Sequence, residues 1–162
     1  MGYCHKRGFL RSGALTCILA LVPLLLPAQN VFDVLSEQDE ASIFVNTIEK
    51  AGLNSTLNSG GPYTIFAPTN TALEEMQDRL NRANSSWAER FVMNHLLTGM
   101  ATQRQIIAMS KVPTMGGLVL TISVDNENTV KINEVTNNVT IVKPNIRAQN
   151  GVIHLVDGVL EE

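Results

Sequence analysis

The fold is decided by one stretch, Asn150-Gly151-Val152-Ile153-His154-Leu155-Val156-Asp157-Gly158-Val159-Leu160. A turn dipeptide, Asn150-Gly151, precedes a continuous run of apolar, mostly β-branched residues, which predicts a strand buried on both faces. We expect this strand to insert among earlier elements and to close the core. The polar residues inside the stretch, His154 and Asp157, should then be hydrogen-bonded.

The chain opens with a pattern typical of a secretory leader. Basic residues precede an apolar run from Ala14 to Leu26, and the small residue Ala28 precedes Gln29. This order predicts a signal peptide at residues 1–28, cleaved after Ala28. Because the apolar run is shorter than the roughly 20 residues of a membrane span, an uncleaved anchor is the less favoured alternative.

Removal of the leader leaves residues 29–162, which predict one domain with a self-sufficient core. Both cysteines, Cys4 and Cys17, lie in the leader. The remainder therefore cannot form a disulfide, a thiolate nucleophile or a Cys-ligated zinc site.

The charge distribution disfavours two classes of partner, and the hydropathy argues against a membrane span. Residues 29–162 carry nine basic and 15 acidic side chains, and the basic ones are scattered along the chain. This distribution disfavours binding of nucleic acid and electrostatic capture of acidic polysaccharide. No apolar run after Ala28 reaches membrane length, so we expect no transmembrane span in the mature chain.

Three N-glycosylation sequons begin at Asn54, Asn84 and Asn138. Each lies in a polar, turn-rich stretch, so we expect at least one to carry a glycan in a secreted protein. The alternative is that sequons arise by chance in an Asn-rich chain.

Helical spacing of apolar residues predicts helices between Val31 and Leu53 and again after residue 70. Asp39 is expected to cap a helix that Gly52 ends in a left-handed conformation. Asn70 or Thr71 is expected to cap the next helix.

A further helix is expected to begin with the capping box Ser86-x-x-Glu89 and to carry His95 and Leu96 as far as Thr98-Gly99. A last short helix, Thr102–Met109, should point Ile106 and Ile107 inward.

Extended segments dominate the rest. A strand at Tyr63–Ala67 follows a loop at Asn58–Pro62 and is ended by Pro68. Further strands are expected at Leu118–Val124, Thr129–Ile132 and Val139–Val142. Helices first and strands last in one domain predict an α+β fold.

The pattern offers no catalytic, metal or cofactor site. Only His95 and His154 remain after leader removal, without HExxH spacing, and no Gly-x-Ser-x-Gly elbow occurs. His95 is either a receptor contact or, as is more usual on an apolar stripe, a hydrogen-bonded packing residue, and His154 is expected to be structural. The methionines are interpreted as core filling rather than as an adaptable ligand surface: Met76, Met93, Met100, Met109 and Met115.

Two boxes resemble the signatures of fasciclin domains (the fasciclin-I-like, beta-Ig-H3/fasciclin family). Thr64 to Asn70, with Phe66, Ala67, Pro68 and Thr69 as signature residues, resembles the first box. Asn150 to Leu160, with Asn150, Gly151, His154 and Asp157, resembles the second. The resemblance implies a fasciclin-like β-wedge sandwich packed against a helical sub-structure. It also implies a secreted, mostly adhesive or matrix protein without enzymatic activity.

The resemblance also implies candidate binding residues, although the chain departs from the family at two of them. Asn94-His95 stands where the family carries a Tyr-His pair, and Asn145-Ile146 where adhesive members carry Asp-Ile. An Asn amide is a weaker, neutral ligand for a receptor-held cation than an Asp carboxylate, so integrin binding is less expected here.

These observations together predict a secreted, extracellular, non-catalytic module for cell–cell or cell–matrix adhesion, with no cofactor. Its expected partner is a cell-surface receptor, a matrix protein or a glycan. The alternative is a secreted carrier or signalling ligand that binds a small apolar molecule or one receptor.

Overall fold

The computed structural model describes residues 29–127, 129–133 and 138–161. The expected signal peptide, residues 1–28, lies outside the described residues. Seven α-helices are described: α1 Val31–Ser36, α2 Ser42–Ala51, α3 Asn54–Ser59, α4 Asn70–Glu74, α5 Gln77–Arg82, α6 Ser85–Asn94 and α7 Gln103–Ala108, with a 3₁₀ turn at Asp39–Ala41. The strands are β1 Tyr63–Pro68, β2 Leu96–Thr98, β3 Lys111–Pro113, β4 Val119–Val124, β5 Val130–Asn133, β6 Asn138–Ala148 and β7 Gly151–Val156.

The described strands form one mixed sheet in the order β2-β1-β7-β6-β5-β4-β3. β7 pairs in parallel with β1 on one side and antiparallel with β6 on the other. All six residues of β7 are buried. The last strand therefore lies inside the sheet with both faces covered, which confirms the prediction made from its sequence.

Two hydrophobic clusters hold the fold together. In the first, helical residues such as Phe44 and Phe91 pack against Ile153 and Leu155 of β7. The second lies on the strands of the other half and includes Leu120. β7 supplies side chains to both clusters, since alternate residues of a strand point to opposite faces. Helices packed against a curved sheet confirm the α+β class.

β6 bends where it changes partners. Its pairing with β7 shifts register between Ile141 and Lys143 and again between Lys143 and Ile146. Bulges of this kind bend a strand and increase its local twist. The far edge of the curved sheet returns towards the first, because the N–H of Met115, just after β3, donates to the carbonyl of Leu96 in β2 at 2.8 Å.

Asn150 and Gly151 join the entry of β7 to the helical part. The Asn150 Oδ1 atom accepts the N–H of Val31, and its Nδ2 atom donates to the carbonyls of Leu57 and Gly60, each at 2.7 Å. A Cβ atom on Gly151 would lie 2.7 Å from the carbonyl oxygen of Tyr63. The turn therefore needs an amide at the first position and no side chain at the second.

The helix caps differ from those expected, except at Gly52, which has φ +72° and ends α2 in the left-handed conformation. Thr69 rather than Asn70 or Thr71 caps α4, and Asn84 rather than Ser86 caps α6. Asp39 lies in the 3₁₀ turn and does not cap α2.

The start of α2 is instead satisfied from a distant part of the chain. The Asn70 Oδ1 atom accepts the N–H of Ile43 at 3.0 Å, and its Nδ2 atom donates to the carbonyl of Asp39 at 2.8 Å. The first signature box therefore anchors the helical part as well as ending β1.

Several boundaries also correct the sequence analysis. α6 ends at Asn94, so Leu96 belongs to a strand rather than a helix. The expected loop at Asn58–Pro62 begins inside α3, and β3 was not expected. Pro68 is the last residue of β1, and Asp157 lies just outside β7.

Exposure corrects the interpretation of several apolar residues. Ile107 faces solvent, whereas Ile106 is buried as expected. Met76 is buried, but Met100, Met109 and Met115 are exposed and do not fill the core. Within the part of the chain that the structure describes, no helix is long and apolar enough to cross a membrane.

Candidate functional site

The two signature boxes and the two candidate binding segments, Asn94-His95 and Asn145-Ile146, meet along one row across the sheet. The N–H of Phe66 donates to the carbonyl of His95 at 2.9 Å. Phe66 is the register partner of His154 in the parallel pair β1–β7, and their ring centroids lie 5.7 Å apart. The N–H of Asn145 in turn donates to the His154 Nδ1 atom at 3.3 Å. The fold therefore brings both signature boxes and both candidate binding segments together.

His154 is held as a neutral imidazole. Because its Nδ1 atom accepts the Asn145 N–H, its proton resides on Nε2, which donates to the carbonyl of Ala101 at 2.9 Å. Burial lowers the pKa of His154, and the bond to Ala101 offsets this only in part. The ring thus links β7 to β6 and to the segment before α7.

Asn145 occupies the β6 bulge opposite His154 with φ +62°, a left-handed conformation that asparagine tolerates better than most residues. Its side chain is exposed at the surface, and its Oδ1 atom accepts the N–H of Gln103 at 2.9 Å. The neighbouring Ile146 is half-buried against the helical cluster. Asn145 is accessible, but its best acceptor atom already has a partner.

His95 lies in the core at the end of α6, completely buried. Its ring contacts those of Phe44 and Phe91, at centroid distances of 5.3 and 4.8 Å. The Nδ1 atom bonds to the carbonyl of Phe91 at 2.8 Å, and Nε2 accepts the N–H of Leu160 at 3.0 Å. Burial lowers the pKa of His95 to about 4. Both ring nitrogens are therefore engaged, and no part of the side chain faces a partner.

Asn94 is half-buried at the last turn of α6, close to Gly116. A Cβ atom on Gly116 would overlap the Asn94 side chain, so the loop after β3 packs directly on this residue. Asn94 also lines a surface depression of about 360 Å³, together with Arg79 and Arg90. Of the candidate binding residues, Asn145 is exposed, Asn94 and Ile146 are half-buried, and His95 is completely buried.

A surface that the sequence analysis did not identify lies beside Asn94. We call it the arginine cleft, defined by Arg79, Arg82, Trp87 and Arg90. The Arg79 guanidinium lies 5.6 Å from the centroid of the Trp87 ring, and its Nη1 atom lies 2.8 Å from Oε1 of Glu161. The arginines lie on two different helices, α5 and α6, and the fold brings them to one surface.

The remaining signature and sequon residues have clear positions. Asp157 and Thr140 exchange two hydrogen bonds: the Thr140 N–H donates to the Asp157 carboxylate at 2.6 Å, and the Asp157 N–H donates to the Thr140 carbonyl at 3.0 Å. The three sequon asparagines, Asn54, Asn84 and Asn138, are all exposed.

No cluster of three or more His, Cys, Asp or Glu residues suited to a metal ion occurs among residues 29–127, 129–133 and 138–161.

Comparison with known proteins identifies the family. Residues 39–162 match the model of the Fasciclin domain. The described fold is also similar to a FAS1 domain pair from the insect cell adhesion molecule fasciclin I, with a TM-score of 0.74 and 18% identity over 83% of this chain and 51% of that one. The chain therefore belongs to the Fasciclin domain family.

Relatives place this domain in proteins of very different length. Human stabilin-1 is 30% identical over 139 residues, which cover 83% of this chain but only 5% of stabilin-1. The protein sll1735 of Synechocystis is 29% identical over 134 residues, which cover 81% of this chain and 96% of that protein. A relative from Plasmodium falciparum named "Heme ligase" is 26% identical, over 80% of this chain and 74% of its own length.

Proposed function

We propose that this protein is a secreted, non-catalytic binding module that mediates cell–cell or cell–matrix adhesion. The observation that carries the proposal is the similarity of its fold to a domain pair from a cell adhesion molecule. The leader pattern at residues 1–28 and the exposed positions of Asn54, Asn84 and Asn138 support secretion and N-glycosylation.

The site residues divide into two roles under this proposal. Asn94 and Asn145 reach the surface and can contact a partner, whereas His95 and His154 lie inside and hold the contacting segments in place. The amide oxygen of Asn145 is neutral and already bonded to the N–H of Gln103. Such an oxygen is a poor ligand for a receptor-held divalent cation, so adhesion through this protein should not depend on such a cation.

The test is attachment of cells to the immobilised secreted protein, with and without EDTA. We expect attachment that survives EDTA. Attachment abolished by EDTA would contradict cation independence and leave adhesion standing. Urea unfolding checks that the protein is folded. If folded protein supports no attachment at all, that result would contradict adhesion and favour the alternative of a secreted carrier or signalling ligand.

A haem-dependent or enzymatic role is not supported by the two described histidines. The name of the Plasmodium relative raises that role, and an imidazole must offer a free nitrogen to bind haem iron. In both His95 and His154 each ring nitrogen is already bonded to a backbone group. Neither histidine therefore offers haem iron a free ligand nitrogen in this arrangement.

A further inference from the structure

The arginine cleft concentrates positive charge around the single tryptophan of the chain. Arg79 and Arg82 lie three residues apart on α5, and Trp87 and Arg90 three apart on α6, a spacing that places each pair on one face of its helix. Two adjoining depressions, of about 320 and 360 Å³, share Arg79 and Trp87 as a common wall.

Arg79 is held in position before any ligand arrives. Its guanidinium lies 5.6 Å from the Trp87 ring centroid, and the indole stacks on Phe91 at 4.9 Å with an interplanar angle of 16°. Cation–π contact with an aromatic ring that is itself packed restricts the arginine side chain. A restricted side chain loses less entropy on binding than a mobile one.

The cleft already holds a carboxylate of this chain. Glu161 pairs with Arg79 and lines the larger depression, and the backbone just before it is fixed by the bond from Leu160 to His95. Arg82 and Arg90 make no ion pair with any residue that the structure describes. Each depression is lined by one carboxylate, Asp78 in the smaller and Glu161 in the larger. Because Glu161 is the group that an incoming carboxylate would replace, the larger depression, between Arg79 and Arg90, suits such a ligand better.

The geometry points to the arginine cleft as a docking surface for an acidic peptide segment of a partner protein, whose carboxylate displaces Glu161 from Arg79. The occupant now present is a carboxylate carried on a polypeptide, which favours a peptide over a polysaccharide. Guanidinium groups bind carboxylates through paired hydrogen bonds, and tryptophan and arginine dominate the energetics of protein–protein interfaces. This inference rests on the proposed binding function and assigns it a surface and a class of partner.

Trp87 supplies the readout, since it is the only tryptophan and lies in the cleft. The full-length secreted protein is titrated with hexaglutamate while the fluorescence of Trp87 is followed. We expect saturable binding that weakens with added salt. The double variant Arg82→Ala/Arg90→Ala should weaken binding about tenfold, and Glu161→Gln should strengthen it about threefold.

The matched control is Arg104→Ala, which removes one exposed arginine from α7, outside the cleft. Binding that falls as much in this variant as in the double variant would overturn the cleft as the site. Absence of hexaglutamate binding would also overturn the cleft as the site, provided that the urea unfolding transition shows the protein to be folded. Stronger binding of a heparin-derived oligosaccharide than of hexaglutamate would overturn the peptide class and assign the surface to glycan.

The cell attachment assay separates this inference from the proposed function. Attachment unchanged in the double variant, together with no hexaglutamate binding, would remove the cleft proposal and leave adhesion intact. Hexaglutamate binding without attachment would retain the cleft and remove adhesion. Loss of attachment in the double variant but not in Arg104→Ala would support both.

Discussion

The ring of His95 joins the end of α6 to the backbone of Leu160, 65 residues later. Its Nε2 atom accepts the Leu160 N–H at 3.0 Å while Nδ1 bonds to the Phe91 carbonyl at 2.8 Å. Leu160 itself is completely buried. The histidine at the position of the family's Tyr-His pair thus holds the segment that follows the last strand against the helical part.

Replacing His95 by phenylalanine tests this bond. His95→Phe keeps an aromatic ring of similar size but leaves the Leu160 N–H without a partner, so we expect a loss of about 1–3 kcal/mol in the free energy of unfolding. Urea denaturation followed by Trp87 fluorescence measures it. A variant as stable as the wild type would show that the bond contributes nothing.

Mild acid should destabilise the protein through its buried histidines. The pKa of His95 is about 4 in the folded chain, against an ordinary value of 6.5, so between these values the unfolded state binds more protons. The contribution of His95 is therefore full above pH 6.5 and is lost as pH falls towards 4, and the lowered pKa of His154 acts in the same direction. We expect about 2 kcal/mol less stability at pH 5.0 than at pH 7.5 from His95 alone.

Urea midpoints at the two pH values check this, with His95→Phe as the control. The difference should shrink in the variant, because the titrating ring is gone. Asp125, whose pKa is lowered mainly by the Thr129 N–H, titrates below this range and does not contribute. An equal pH dependence in both proteins would contradict the assignment to His95.

Much of the sheet is predictable from sequence, because β1 and β7 carry strong local signals. Pro68 and the Asn150-Gly151 turn mark their ends, and a continuous apolar run predicts burial on both faces. β2 is not predictable in this way, because Leu96 and Leu97 continue the apolar pattern of α6 and periodicity alone favours a longer helix.

The candidate site is only partly predictable from the sequence, because some of its residues come together only through tertiary packing. The segments that form the row from His95 to Asn145 can be recognised in the sequence, but the strand pairing that brings them together cannot. The arginine cleft cannot be recognised there, because Arg79 and Arg90 belong to different helices and look like scattered surface charge. The cap that Asn70 gives to α2 is equally a product of tertiary packing, since the two lie 27 residues apart.

Asn150 should be among the most sensitive polar residues of the chain. Asn150→Ala leaves the Val31 N–H and the carbonyls of Leu57 and Gly60 without their partner, and we expect a loss of about 2–4 kcal/mol. Asn46→Ala, at an exposed position on α2, is the matched control and should change stability by about 0.5 kcal/mol or less. Comparable losses in the two variants would contradict a special role for Asn150.

Two glycines should differ in how they respond to a methyl group. In Gly151→Ala the new Cβ would lie 2.7 Å from the Tyr63 carbonyl oxygen, so β1 and β7 must separate, at a cost of about 1–3 kcal/mol. Gly52→Ala has open space but a φ of +72°, so strain of about 1 kcal/mol is expected. Thermal unfolding of both variants checks that Gly151→Ala is the less stable of the two. A larger loss in Gly52→Ala would show that backbone conformation matters more than steric contact.

Asn84 combines a helix cap with a sequon, and the two roles can be separated. Its Oδ1 atom accepts the Trp87 N–H at 2.8 Å, whereas a glycan would be attached through Nδ2. We propose that Asn84 carries a glycan, which Ser86→Ala should remove while keeping the cap. Asn84→Ala should remove both and cost about 1 kcal/mol more. Glycosidase treatment with mass spectrometry, and urea titration of the deglycosylated proteins, distinguish these outcomes.

The central position of β7 has a consequence for how the protein is made. β1 is synthesised more than 80 residues before β7, which pairs with its whole length. β6 also lacks its β7 partner until β7 has been synthesised. Until Val156 has been added, both of these strands have open backbone edges, which are prone to mispairing with other chains. The pairing of β1 with β7 and of β6 with β7 therefore forms only in a late step, and the growing chain needs protection until then.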